Sequence, residues 1–247
     1  MANLHYYRPD KNNSISHAFK IFYHIINNSE SIIDDMPAKD VLFSLNPGFK
    51  NKDIPATKVK YPIIIGSIEY LVKHKSVYKL KIKGLDKPIY VNNDAYKNID
   101  NSSSHRIFND EKLEGYDIAI LQVGRRYFKN ESCILTCVGI NFDILTLDKN
   151  LLTFDSYHEY SFGNYLVESK RDFIKDISYI DTKNFTPDYI LRDTCPETYV
   201  EIWGMNTDDY LTRKQEKLNL YNEIENPLLE WEPTKEKNFP ELPKKYS

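Results

Sequence analysis

Two acidic residues within residues 186–221 have the types and spacing that metal-dependent chemistry requires. Asp188 opens one strand-like run, PDYIL, and Glu201 lies inside the next, TYVEIWG. Carboxylates on neighbouring strands can hold a divalent cation, and a nearby lysine can stabilise charge on a phosphate. A glutamate inside an apolar run is costly to bury without a partner. The stretch therefore indicates hydrolysis of a phosphodiester.

A helix that carries lysines is predicted directly after the second strand. Thr207 has the residue type of an N-cap, and Asp208 and Asp209 follow it in the first turn, where the helix dipole favours acids. Lys214 and Lys217 fall within the apolar stripe of this helix. Because a lysine stem can pack on apolar surface while its ammonium group reaches polar atoms, either lysine can serve the acids.

A second helix and a further strand are predicted upstream of Asp188. Asp155-Ser156 is an N-cap signal before a helix over 157–169, and Glu159 falls in its first turn. Residues 173–180, FIKDISYI, then have the composition of a strand. The chain thus presents a helix, three strands and a lysine-bearing helix in that order.

This arrangement resembles the PD-(D/E)XK, or restriction-endonuclease-like, nuclease superfamily. Its core is a helix, three strands, a helix and usually a fourth strand. Pro187-Asp188 matches the first acidic position and Glu201 the second, but Trp203 stands where the motif lysine is expected. Some members carry that lysine on the following helix, and Lys217, four residues before Tyr221, fits that variant best. Lys214 is the second candidate.

The resemblance implies a catalytic set of Asp188, Glu201, Lys217 or Lys214, and Glu159. Asp188 and Glu201 would ligate Mg²⁺ or Mn²⁺, and Glu159 would complete the metal shell from the first core helix. Residues 150–223 also resemble an uncharacterised bacterial family found on integrative and conjugative elements. That narrower resemblance implies a mobile-element or defence context, with a protein partner from such a system.

A basic segment precedes the acidic residues. Residues 58–87 contain eight lysines against two acids, a net charge of +6 within a chain whose overall charge is −3. Basic residues interleaved with tyrosines can track a phosphate backbone and stack bases. The alternative is a small β-rich region whose exposed strands carry lysine to block edge aggregation. The candidate nucleic-acid-binding residues are Lys73, Lys75, Lys79, Lys81 and Lys83.

Composition, the positions of loop and proline residues, and the resemblance together predict an α/β protein with three parts. Residues 1–105 form an amino-terminal helix and a small β-rich region, 106–225 form the restriction-endonuclease-like domain with its helix, mixed sheet and helix from about 150, and 226–247 form a Pro-rich tail. No signal peptide or long apolar run is present, which predicts a cytoplasmic protein without membrane contact.

Three readings of the function remain open from the sequence. The first is a Mg²⁺- or Mn²⁺-dependent nuclease, with DNA favoured over RNA as substrate. The second is a catalytically inactive module of the same fold that binds DNA or a protein partner. A toxin or defence effector is a third reading, and a homodimer is compatible with any of them. Fold alone does not decide among these readings, because function depends on the geometry of the site.

Overall fold

The structure is a computed structural model, and its described residues separate into two compact units. The amino-terminal unit spans Asn13–Leu151, and the carboxyl-terminal unit combines Met1–Asn12 with Leu152–Ser247. The structure describes residues 6–7, 14–28, 30–33, 35–47, 54, 59–100, 113–127, 133–175 and 186–246.

Helices are interspersed among runs of consecutive strands, so the protein is of mixed α/β class, and the strands of the described residues lie in three sheets. The helices are α1 (Ile15–Asn28), α2 (Ala38–Val41), α3 (Asn93–Asp100), α4 (Tyr157–Glu168) and α5 (Asp208–Asn222). The strands are β1 (Tyr6–Tyr7), β2 (Ile32–Ile33), β3 (Met36–Pro37), β4 (Leu42–Leu45), β5 (Ile63–His74), β6 (Val77–Ile82), β7 (Ile89–Val91), β8 (Gly115–Tyr127), β9 (Cys133–Asp148), β10 (Phe173–Ile174), β11 (Tyr189–Leu191), β12 (Thr198–Ile202) and β13 (Leu228–Trp231).

The amino-terminal unit is built on a six-stranded sheet in the order β4-β5-β6-β7-β9-β8. Because β8 also pairs with β5, five of these strands form a closed circuit of hydrogen-bonded neighbours. Its core holds side chains that alternate along the strands, such as Leu80 and Ile82 of β6, which are both fully buried. This alternation is the period-2 pattern expected for a strand with one buried face.

The predicted domain boundary at 105/106 differs from the observed division at 151/152. The reason is strand pairing, since β8 and β9 follow residue 106 but join the sheet of the amino-terminal unit. For example, Gln122 of β8 lies opposite Ile63 of β5, although the two residues are 59 positions apart along the chain. The sequence locates these strands but carries no local signal for that pairing.

The carboxyl-terminal unit contains a five-stranded sheet in the order β1-β10-β11-β12-β13. The first three pairings are antiparallel, and β13 runs parallel to β12. Helix α4 precedes β10 and helix α5 connects β12 to β13, so the predicted succession of helix, strands and helix is confirmed. Of the strand predicted over 173–180, Phe173–Ile174 is a strand, and 176–180 lie outside the described residues.

The segment predicted as a separate Pro-rich tail is instead part of this unit. Leu228–Trp231 forms β13, and Trp231 is buried against Phe162 in the core. Phe239 stacks on Tyr165 with ring centroids 4.5 Å apart. Prolines exclude a helix here, but they leave strand pairing and surface packing open.

The last residues of the chain are hydrogen-bonded to both partners of a buried ion pair, which joins Arg171 before β10 to Asp193 in the turn after β11. The Nε and Nη2 groups of Arg171 both donate to the Asp193 carboxylate, at 2.6–3.0 Å, and the Arg171 side chain is only 3% exposed. The same guanidinium donates to the Pro243 carbonyl, and the Tyr246 amide donates to the Asp193 carbonyl. This bidentate geometry is the strong form of an arginine–carboxylate contact, so the tail is a fixed part of the fold.

The amino end of α4 is built as the sequence predicts, and it sets the position of Glu159. The Ser156 hydroxyl accepts from the Glu159 amide at 3.2 Å, and the Glu159 carboxylate accepts from the Ser156 hydroxyl and from the Asp155 amide, in a variant of the capping box. Gly163, inside this helix, lies against Tyr189, whose hydroxyl would be 2.8 Å from an added Cβ atom. The glycine therefore allows Tyr189 to reach the Glu159 carbonyl with a 2.8 Å hydrogen bond.

Candidate active site

Asp188 and Glu201 lie side by side at the junction of β11 and β12. The Asp188 amide donates to the Val200 carbonyl at 3.0 Å, and its carboxylate accepts from the Ile202 amide at 2.7 Å. Since Val200 and Ile202 flank Glu201, the two acids are neighbours across the strand pair, as the sequence predicts. Asp188 is half-buried and Glu201 is 2% exposed, so both carboxylates have lost much of their hydration.

Glu201 receives two donors from helix α5. Lys217 Nζ lies 2.6 Å from Glu201 Oε1, and the hydroxyl of the buried Tyr221 donates to the same oxygen. Lys217 and Tyr221 are four residues apart, which places them on one helix face. Lys217 also donates to the Thr186 carbonyl at 2.9 Å, close to the start of β11. The helix thus supplies the partner that a buried glutamate needs.

Lys214, the second lysine candidate, has a different partner. Its ammonium group lies 2.8 Å from Glu232 and 4.9 Å from the ring centroid of Trp203. Trp203 itself is buried and donates its indole N–H to Glu230 at 2.8 Å. Of the two candidate lysines, the one that the structure brings to the acids is therefore Lys217.

Glu159 approaches the acids from α4, but its carboxylate is paired with a lysine that sequence reasoning missed. Lys175 follows β10, is 5% exposed, and donates to Glu159 Oε2. Its ammonium group also lies 4.9 Å from the ring centroid of Tyr189. The sequence signal that could have identified Lys175 is its position in the FIKD run, directly after the apolar Phe173 and Ile174 of a predicted strand.

The electrostatics of the site show that these acids influence one another. Burial and the charge of Glu159 together raise the pKa of Asp188 to about 6, against the opposing effect of Lys175. Burial likewise raises the pKa of Glu201 to about 7, with Asp188 adding to the rise and Lys217 opposing it. Burial also raises the pKa of Tyr210, and Asp188, Glu201 and Glu159 all contribute to that shift. A nearby cation would relieve this repulsion.

The donor chemistry of the site fits one hard divalent cation, with two protein ligands. Within the described residues, no three His, Cys, Asp or Glu side chains are grouped as a metal site. Asp188 and Glu201 nonetheless form a close acidic pair, and Glu159 is held by Lys175. Mg²⁺ is commonly bound by one or two carboxylates, with water and substrate phosphate oxygens as the remaining ligands. These two acids suit such a site.

The raised pKa of Asp188 predicts how pH acts on the metal-free protein. In the unfolded chain an aspartate has a pKa of about 4, whereas in the fold the Asp188 pKa is about 6. The folded state therefore binds this proton more tightly, and stability falls as pH rises from the unfolded to the folded pKa. Asp188→Asn keeps an oxygen for the Ile202 amide and removes this pH-dependent loss.

We expect Asp188→Asn to match wild type in free energy of unfolding near pH 4 and to exceed it by about 1–3 kcal/mol at pH 8. Urea unfolding at both pH values, with chelator present, measures the difference. The matched control is Asp209→Asn, at an exposed position in the first turn of α5. A stabilisation that is equal at both pH values would contradict the assigned pKa.

The predicted nucleic-acid-binding lysines lie on and around the hairpin of β5 and β6 in the amino-terminal unit. Lys73 and Lys75 are exposed near its turn, and Lys79 lies over Tyr90 at 5.8 Å. Lys81 donates to the carbonyls of Leu85 and Asp86, so part of its role is to hold the turn after β6. β6 ends at Ile82, so Lys83 lies just beyond the strand. Of these five lysines, Lys79 and Lys81 are therefore the two that share a face of β6.

No protein-family model matches the chain, and a search of curated proteins finds no significant match. None of the helices in the described ranges is long and apolar enough to cross a membrane.

Proposed function

We propose that the chain is a Mg²⁺- or Mn²⁺-dependent nuclease with a restriction-endonuclease-like core, and that DNA is its substrate. The succession α4, β10, β11, β12, α5 and β13 supports this, because it has the helix, three strands, helix and fourth strand of the PD-(D/E)XK superfamily. Asp188, directly before β11, and Glu201, within β12, match the two acidic positions expected for that superfamily.

One observation carries the proposal. Asp188 and Glu201 lie side by side, and Lys217 contacts Glu201 from the following helix at 2.6 Å. This arrangement places two acids and one lysine together although Trp203 stands at the motif's lysine position.

Asp188 and Glu201 would hold the cation in the proposed mechanism. When bound, it would lower the pKa of a coordinated water and stabilise negative charge on the phosphate. Lys217 keeps Glu201 oriented and adds positive charge where negative charge develops on the phosphate. Tyr221 donates to Glu201 from the buried side, which fixes the orientation of the carboxylate. Attack by water at phosphorus then breaks one P–O ester bond.

Incubation of the purified protein with supercoiled plasmid tests the proposal. We expect nicking or linearisation with Mn²⁺ or Mg²⁺ and none with EDTA, and no cleavage by the double variant Asp188→Asn/Glu201→Gln. Single-stranded DNA and RNA in parallel reactions identify the preferred substrate. An absence of cleavage of every substrate by wild type, with both metals, would overturn the nuclease proposal.

The pairing within the site favours a second candidate function, an inactive module that binds DNA or a protein partner of a mobile element or defence system. Lys217 neutralises Glu201 and Lys175 neutralises Glu159, so much of the acidic charge is already balanced inside the fold. The exposed Lys73 and Lys75 offer a sequence-independent phosphate contact. Gel-shift binding of DNA that Lys73→Glu/Lys75→Glu abolishes, with no cleavage by wild type, is the result expected from this alternative.

A further inference from the structure

Glu159 is held at the start of α4 by contacts that occupy both oxygens of its carboxylate. Oε1 accepts from the Ser156 hydroxyl at 3.4 Å, and Oε2 accepts from the Asp155 amide at 3.2 Å and from Lys175. The Glu159 amide donates back to Ser156, and its carbonyl accepts from Tyr189. Both carboxylate oxygens of Glu159, and also its backbone N–H and C=O groups, therefore have hydrogen-bond partners within the chain.

Lys175 is buried between acids that belong to different elements. Its side chain is 6% exposed and that of Glu159 is 13% exposed, so their ion pair is largely withdrawn from solvent. The charge of Lys175 also acts on Asp188, where it opposes the effect of Glu159. The lysine thus lies within electrostatic reach of the two acids that face it from α4 and from the start of β11.

We propose that Lys175 is a built-in cation that keeps Glu159 out of the metal shell. The metal ligands from the protein are then Asp188 and Glu201 alone, and Glu159 is a positioning residue that places Lys175. This inference rests on the proposed metal-dependent function and narrows its ligand set. It differs from the expectation that Glu159 completes the shell.

The energetics of burial favour this assignment over one in which Glu159 turns away from Lys175 to bind the metal. If Glu159 turned to a metal ion, Lys175 would remain buried with no carboxylate partner and next to a divalent cation. Breaking one side of a buried ion pair leaves an uncompensated charge, which is strongly destabilising. The Glu159 carboxylate would also lose its contacts with the Ser156 hydroxyl and with the Asp155 amide at the start of α4.

Mn²⁺ binding to the intact protein, measured by isothermal titration calorimetry or by Mn²⁺ paramagnetic resonance, tests the inference without any activity assay. The decisive variant is Glu159→Gln/Lys175→Met, which removes both charges and keeps the side-chain sizes. We expect its Mn²⁺ dissociation constant to stay within about threefold of wild type, because no ligand is lost. A loss of affinity above about tenfold would identify Glu159 as a ligand and overturn the proposal.

Lys175→Met alone supplies a second measurement. It removes a positive charge near the cation and leaves the Glu159 carboxylate without its partner, so we expect Mn²⁺ to bind about tenfold more tightly. Weaker or unchanged binding would overturn the role assigned to Lys175. Lys237→Met, at an exposed position of the same unit, is the matched control and should bind as wild type does.

Folding and function are separated by two further readouts. Melting curves of the metal-free variants check the fold, and Glu159→Gln/Lys175→Gln is used if the methionine variant does not fold. Asp188→Asn/Glu201→Gln should abolish Mn²⁺ binding. If wild type itself binds no Mn²⁺, the proposed metal-dependent function fails, whereas a weakened Glu159→Gln/Lys175→Met variant beside a binding wild type overturns only the role of Lys175.

Discussion

Asp188→Asn and Glu201→Gln are each expected to lower metal-dependent cleavage by about a thousandfold or more. Each substitution removes one of only two protein ligands to the proposed cation. Both replacements keep an oxygen in place for the contacts with the Ile202 amide and with Tyr221. The fold should therefore survive while the site loses its hold on the metal.

Initial rates of plasmid nicking at several Mn²⁺ concentrations measure this effect. Loss of one carboxylate ligand should reduce the nicking rate even at high Mn²⁺ concentration, because the cation is then held in the wrong position. Asp209→Asn is the matched control, since Asp209 is an exposed acid at the start of α5. Full activity of both site variants would rule out this pair as the catalytic acids.

Lys217→Met is expected to lower the cleavage rate by about a hundredfold, the size of one lost electrostatic contact to the transition state. The variant keeps an apolar side chain of similar length and removes the charge 2.6 Å from Glu201. Tyr221 still donates to Glu201, so one partner of the buried carboxylate remains. The pKa of Glu201 should rise, because Lys217 normally lowers it.

The pH–rate profile separates this role from a structural one. With Lys217 absent, Glu201 needs a higher pH to ionise, so the rise in activity should move to higher pH than in wild type. Lys214→Met is the matched control on the same helix, since its ammonium group pairs with Glu232. An inactive Lys214→Met beside a normal Lys217→Met would reverse the assignment of the two lysines.

Much of the carboxyl-terminal unit could be predicted from local patterns in the sequence. The N-cap at Ser156 begins α4, and the alternation of strand and turn residues locates β11 and β12. These signals work because capping and strand propensity act over a few residues. The order of Glu159, Asp188, Glu201 and Lys217 along the chain follows from the same local reading.

The partners of the lysines could not be predicted in the same way. Helical spacing allowed both Lys214 and Lys217 to face the sheet, and only the rotation of α5 against β12 places one on Glu201 and the other on Glu232. Lys175 follows a two-residue strand, where a lysine ordinarily faces water. Its burial depends on α4 and Tyr189, which are distant in sequence.

The amino-acid sequence by itself determined the local elements of the carboxyl-terminal unit and the acidic pair on two adjoining strands. The tertiary structure decided the unit boundary at 151/152, the use of residues 228–231 as a fifth strand, and the pairing of Glu159 with Lys175. These features join residues that are separated by 16 positions for Glu159 and Lys175, 29 for Tyr199 and Leu228, and 59 for Ile63 and Gln122. Long-range pairing of this kind depends on packing and desolvation across the whole unit, for which a short stretch of sequence carries no signal.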